Sequence, residues 1–352
     1  MVQFSRLYSD GKIASVASAL DGSAVGSTFE AILYEPAVTK AEWIALWSKD
    51  NDRRQVARPC WVWPSRDDPK YVLSQPSSSF FVMLVAFSTI YAGVRYYLSW
   101  RSSKGGEYEF SRLFWAMGLI CWGLGAFLAG LSYEALEWHL KCELHDDNDR
   151  CVLYSWLELV YVMFQVAACD FSLLGSLFVS RFVKVRWFWR IFWLGMFDYL
   201  FYSFFVAIGG ILGVQKYMSF EFCLVFCGLS MIVGVGVSLV LPLYHFLSEK
   251  KQGQKITEFL PPRDMAMLRS WGIMTLSGVV YFLYYSIPFM SYPNFESFLW
   301  DQYGIWITAN DFLHILLTWW AISMLNNLPL IEDSDDLRNR LASYISVRAK
   351  KD

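Results

Sequence analysis

The chain has 352 residues, of which 55% are hydrophobic, 18% aromatic and only 18% charged. That balance is too apolar for a soluble enzyme of this size and places the chain among membrane proteins. A net charge of −2 excludes a nucleic-acid binder that works through bulk positive charge.

Residues 1–77 read as an extracytoplasmic tail. Their first thirty positions lack the basic start, apolar centre and small-residue cleavage site of a signal peptide, so the first span is expected to export them. Within the tail, Thr39–Lys49 predicts a short amphipathic helix: Thr39 and Glu42 form a capping box, and Trp43, Leu46 and Trp47 share one face. Such a helix could lie on a membrane surface or pack on the tail itself. The stretch Pro59–Pro69 reads as a proline-punctuated approach to the membrane.

A bilayer core takes about 20 helical residues to cross. Seven predominantly apolar runs meet that need: Ser78–Leu98, Leu113–Tyr133, Leu153–Val179, Phe188–Val214, Phe220–Leu247, Met267–Met290 and Ile305–Leu325. The expected fold is therefore all-α, a polytopic seven-transmembrane-helix bundle over residues 78–326, followed by a cytoplasmic amphipathic tail over 327–352. Gly209, Gly210 and Gly213 in the fourth run and Gly228, Gly234 and Gly236 in the fifth are the kind of small residues that let helices approach closely, within one chain or between two copies. No internal repeat supports an inverted-repeat transporter.

Lys and Arg set the expected orientation. The first loop and its flanks carry Arg95, Arg101, Lys104 and Arg112, the third Arg181, Lys184, Arg186 and Arg190, and the fifth Lys250, Lys251, Lys255, Arg263 and Arg269. The intervening connections carry only Lys141, Arg150 and Lys216. The odd loops and the C-terminus are thus expected in the cytoplasm and the N-terminus outside, making a multi-pass protein whose obligatory partner is the lipid bilayer. Arg53, Arg54, Arg58, Arg66 and Lys70 run against this rule, offset by Asp50, Asp52, Asp67 and Asp68.

Cys121, Cys169, Cys223 and Cys227 fall inside spans and read as small apolar fillers. Cys142 and Cys151 bracket a short acidic loop on the oxidising face, which predicts a disulfide between them, with Cys60 a competing partner. A zinc site from these cysteines with His139 and His145 matches no standard spacing.

Ionisable residues within spans are costly and normally face the interior or a wet cavity. Among them are Glu158 and Asp170 in the third run, Asp198 in the fourth, and Asp311 and His314 in the seventh, with Glu134, Glu137 and His139 following the second. In the segment TANDFLHILLTWW, His314 is i+4 from Asn310 and i+3 from Asp311, so the three are expected to form one polar stripe, with Tyr281, Tyr284 and Tyr285 as neighbours. Counting from Ile305 puts His314 about 13 Å deep, near the midplane.

Asn310, Asp311, His314 and Ile315, with Ser132 late in the second span and Glu158 early in the third, resemble the seven-helix metal-dependent lipid hydrolases of the alkaline-ceramidase and adiponectin-receptor type. That resemblance implies a serine, an acidic residue and histidines around zinc. Here Asn310 stands where the first histidine of the seventh-span pair would be, and the second-span histidine is missing, Leu136 lying four residues after Ser132. Zinc is therefore not expected, and His314 would be its ligand only in a divergent hydrolase. The seven-span plan with an aspartate in the last span is also similar to microbial rhodopsins, but no lysine lies between Ile305 and Leu325, so a retinal Schiff base is excluded.

Phosphate-binding loops, dinucleotide fingerprints, nucleophile elbows and zincin helices are absent from the sequence. The reading that needs only residues present is ion or solute permeation, with Glu158, Asp170, Asp198, Asp311 and His314 as an internal polar path and a small ion or ligand as partner. A seven-helix sensor and a divergent lipid hydrolase are the alternatives.

Overall fold

The computed structural model describes residues 60–64, 69–74, 76–102, 110–136, 140, 156–180, 182–212, 220–250, 255–260, 262–286, 307 and 309–332. The capped helix at Thr39–Lys49, the loop between Cys142 and Cys151, and the tail beyond Glu332 lie outside them. Elements in chain order are β1 (Cys60–Pro64), β2 (Pro69–Ser74), α1 (Pro76–Ser102), α2 (Phe110–Ala129), α3 (Trp156–Val179), α4 (Val185–Leu212), α5 (Phe220–Val235), α6 (Leu241–Glu249), α7 (Ile256–Phe259), α8 (Pro262–Ser286) and α9 (Ala309–Glu332). The helical content agrees with expectation; the strands do not. β1 and β2 form an antiparallel ribbon from Cys60↔Ser74 to Pro64↔Pro69, where the sequence reading expected an irregular approach to the membrane. The prolines sit at the strand ends, where no ladder hydrogen bond is lost, and CWVWP and PKYVLS supply the β-branched and aromatic residues strands favour.

Among the described residues, five helical segments are long and apolar enough to cross a membrane: Ser77–Ser102, Phe110–Ser132, Leu157–Val179, Val185–Gly209 and Phe222–Glu249. α8 and α9, with 25 and 24 residues, have comparable length but are not among the five. Helices present apolar stripes outward: Phe80, Leu84, Phe87 and Tyr91 on α1, Trp193, Phe197, Leu200 and Phe204 on α4, and Ile315, Trp319 and Ile322 on α9 are all exposed. α3 lies at the centre, 78% of its apolar window being buried against 22% for the peripheral α4.

Cross-helix contacts fix directions. Tyr96 donates to the Met324 carbonyl (2.8 Å) and Ser77 to Asp311 (3.5 Å), so α1 and α9 run parallel. Arg112 donates to the Ser99 carbonyl (3.1 Å) and Ser111 to that of Gly175 (2.8 Å), so α2 is antiparallel to both α1 and α3. Asn327 donates to Ser270 (2.7 Å) and to the Ala266 carbonyl (3.2 Å), clamping α8 antiparallel to α9. Followed through the fold, this order collects Arg101, Arg112, Arg186, Arg190, Arg263 and Arg269 toward one end, hereafter the basic end, and leaves Glu158 and Asp311 at the other.

Close helix approach depends on glycine, but mostly not at the expected positions. A methyl at Gly123 would stand 2.8 Å from the Ala86 carbonyl oxygen, and one at Gly93 3.0 Å from that of Ala116, so α1 and α2 meet backbone to backbone. In the fifth run only Gly234 is used this way, against the Trp271 ring; Gly228 and Gly236 face open space. Trp115, Trp271 and Trp320 form the aromatic centre, with rings 6.4 to 6.5 Å apart around Trp115.

Two π-helical turns interrupt the regular ladders. Gly130–Ala135 extends α2, and Gly236–Val240 joins α5 to α6. The second has a clear cause: Pro242 has no N–H to return to the Ser238 carbonyl, and the register widens by one residue just before it.

Candidate functional site

Three helices bring polar groups to the middle of the bundle. α4 presents Gly195, Asp198 and Tyr202 on one face, at i, i+3 and i+7; α5 presents Cys223, Cys227 and Ser230 at i, i+4 and i+7. Both faces close on Asp170 of α3. Ser230 Oγ donates to Asp170 Oδ1, and the Asp198 carboxyl lies close enough for the two acids to interact electrostatically. Asp170, Asp198 and Ser230 are all buried. Asp198 stands midway along its 28-residue helix, and Asp170 is about 21 Å from the start of α3 and about 14 Å from its end.

This pair has a specific chemical consequence. An ionised carboxylate only accepts hydrogen bonds, so two of them side by side repel, and in a low-dielectric interior neither is solvated. One proton placed between them turns repulsion into a hydrogen bond. The Oδ2 atoms of both residues have no partner among the described residues, leaving acceptor capacity for a proton, a water or a small cation. Polarisable thiols form the adjoining wall: Cys223 and Cys227 lie Sγ to Sγ at 3.7 Å. Cys121, Cys169, Cys223 and Cys227 are all free.

At the end opposite the basic one, Ser132 donates to Glu158 Oε1 at 2.8 Å, both side chains being fully buried. The π-helical turn of α2 carries Ser132 into this position. Asp311, also fully buried, receives Ser77 at the start of α1. Asn310 lies in the first turn of α9. His314 is half-buried, no hydrogen bond or ion pair joins it to Asp311, and its Nδ1 has no partner among the described residues.

The residues expected to form an internal site therefore fall into separate groups. Ser132 meets Glu158, Asp170 meets Asp198, and Asp311 meets Ser77, while His314 joins none of them. Glu158 and Asp170 are separated by about 18 Å along α3. No three His, Cys, Asp or Glu side chains among the described residues converge so as to hold a metal ion.

Spacing on the third run carries a signal that the sequence reading did not use. Glu158, Tyr161, Gln165, Ser172, Ser176 and Ser180 recur at intervals of three or four, with Cys169 completing the series, so one face of α3 is polar from end to end. Tyr161 and Gln165 pass Gly125 of α2, and Ser176 accepts the Trp271 indole N–H at 2.7 Å. Ser230, the donor to Asp170, falls in a Cys-x3-Cys-x2-Ser stripe that marks the inner face of α5.

His314 provides a stability test. Because Nδ1 is buried without a partner, His314→Phe should be neutral or stabilising, by up to about 1–3 kcal/mol, the cost of an unmet buried polar atom. Thermal unfolding in detergent reads this, and a clear loss of stability would reveal a hydrogen bond made by the imidazole.

Comparison of the chain with protein-family models, with curated proteins and with solved structures finds no match.

Proposed function

We propose that this is a seven-span membrane protein that conducts protons along α3, with the Asp170–Asp198 pair as the site occupied in mid-membrane. In this reading α8 and α9 join the other five segments as spans, their polar residues turned toward each other and toward α1. The basic end lies in the cytoplasm, as expected where Lys and Arg are retained on the inner side.

The observation that carries the reading is the buried carboxyl pair with two unpartnered oxygens at mid-helix on α3. Buried carboxyls within spans are expensive, and proton relays are a recurrent use of them. In this reading the polar face of α3, from Glu158 past Tyr161 and Gln165 to Ser172, Ser176 and Ser180, supplies the rest of the path, and protons cross about 120° around the helix to reach Asp170. Each relay group takes one proton and releases one, so no group accumulates charge.

Reconstitution into vesicles holding a trapped pH dye, with the potential clamped by valinomycin and potassium, tests the proposal. Vesicles with protein should change internal pH faster than protein-free vesicles when a potential is imposed. Equal rates in the two would sink the conduction reading.

A further inference from the structure

Where α3, the π-helical turn after α5, and the start of α8 meet, the bundle forms a half-open cavity of about 10 Å³, close to the room one water needs. Its polar wall is made of Ser176, Ser180, Ser238 and Asp264, all buried; Met267 and Pro242 are among its apolar neighbours. Two separate features of the chain build it. The π-helical register before Pro242 brings Val237 and Ser238 to its wall. The first turn of α8 places Asp264 there, 4% exposed, with Arg263 Nε 3.8 Å from its Oδ1. Ser176 and Ser180 belong to the polar face of α3.

A buried acid beside a water-sized polar space is unlike the rest of this end, where the charged groups are mostly exposed. A water there has the two to four polar partners it requires. We propose that this cavity is the cytoplasmic mouth of the path: a one-water relay in which Asp264 exchanges protons between the aqueous side and the polar face of α3. The proposal deepens the conduction reading and rests on it. The Asp264 carboxylate takes a proton from the aqueous side and passes it to the cavity water. That water releases one of its own protons toward the polar face of α3 at Ser176 and Ser180, from which protons reach the Asp170–Asp198 pair through the bundle interior. One proton enters and one leaves at every group, and no electron moves. Arg263 offsets the charge of Asp264 between transfers.

The test uses full-length protein in pH-dye vesicles. Asp264→Asn should lower the flux at least tenfold, and Asp264→Glu should restore part of it. Wild-type flux with an unchanged Asp264→Asn variant would overturn the relay while leaving conduction standing. Absence of wild-type flux would overturn both. Should Asp264→Asn fail to fold, Ser238→Leu decides: a leucine there fills the water-sized space, so flux should fall at least tenfold in the folded variant, and wild-type flux would overturn the relay.

Discussion

Replacing Asp170 with asparagine should abolish proton flux, by a factor on the order of 100 or more, the range over which a positioned acid–base group contributes. Asparagine keeps the size of the side chain and an oxygen for Ser230 to donate to, so helices α3 and α5 remain tied. What it removes is the capacity to take up and release a proton. Asp198→Asn should act in the same direction, because the remaining carboxyl then has an amide beside it where the shared proton would sit. Both variants should unfold close to the wild-type temperature, since each relieves the burial of a charged group. A variant that conducts normally would remove the pair from the path.

Gly123→Val should produce the largest loss of stability in the bundle, about 3 kcal/mol or more, at the upper end of overpacking costs. The reason is what the new atoms meet. A methyl here already stands 2.8 Å from the Ala86 carbonyl oxygen and 2.8 Å from Thr89 Oγ1, besides pressing on Ile90. Ile90 can change rotamer, but the Ala86 carbonyl belongs to the helix and moves only if α1 and α2 separate. Gly228→Val is the matched control, because nothing lies within 4 Å of a methyl at that position. Denaturation in mixed detergent should show a large drop for the first and almost none for the second. Equal effects at the two sites would mean that α1 and α2 do not meet as described.

Much of the helical plan was legible because it depends on local composition: runs of about 20 apolar residues report helices whatever their neighbours are. Boundaries were less so. α9 continues past the expected end at Leu325 because Asn327, polar by type, is buried in hydrogen bonds to α8. The ribbon at Cys60–Ser74 was hidden by prolines that punctuate strand ends as readily as loops. The π-helical turns depend on Pro242 in one case and give no spacing signal in the other.

The site was legible as a set of residue types but not as a set of partners. Asp170, Asp198, Glu158 and Asp311 stand out in sequence because charge is rare inside apolar runs. Which of them meet is decided by helix rotation. Asp311 and His314 are about 60° apart around α9 at 3.6 residues per turn. That angle suffices for Asp311 to pack on Ser77 of α1 while His314 meets none of the other polar groups. Pairing Asp170 with Asp198 requires knowing that α4 lies antiparallel on α3, which only cross-helix contacts such as that of Gly195 with Leu174 reveal.

The central claim is that the path runs through the carboxyl pair on α3 and not through the histidine on α9. Proton flux measured side by side in vesicles containing wild-type, Asp170→Asn and His314→Phe protein tests it most directly. The account predicts flux lost in Asp170→Asn and kept within about twofold of wild type in His314→Phe, whose imidazole touches no relay group. Flux lost in His314→Phe and retained in Asp170→Asn would contradict it.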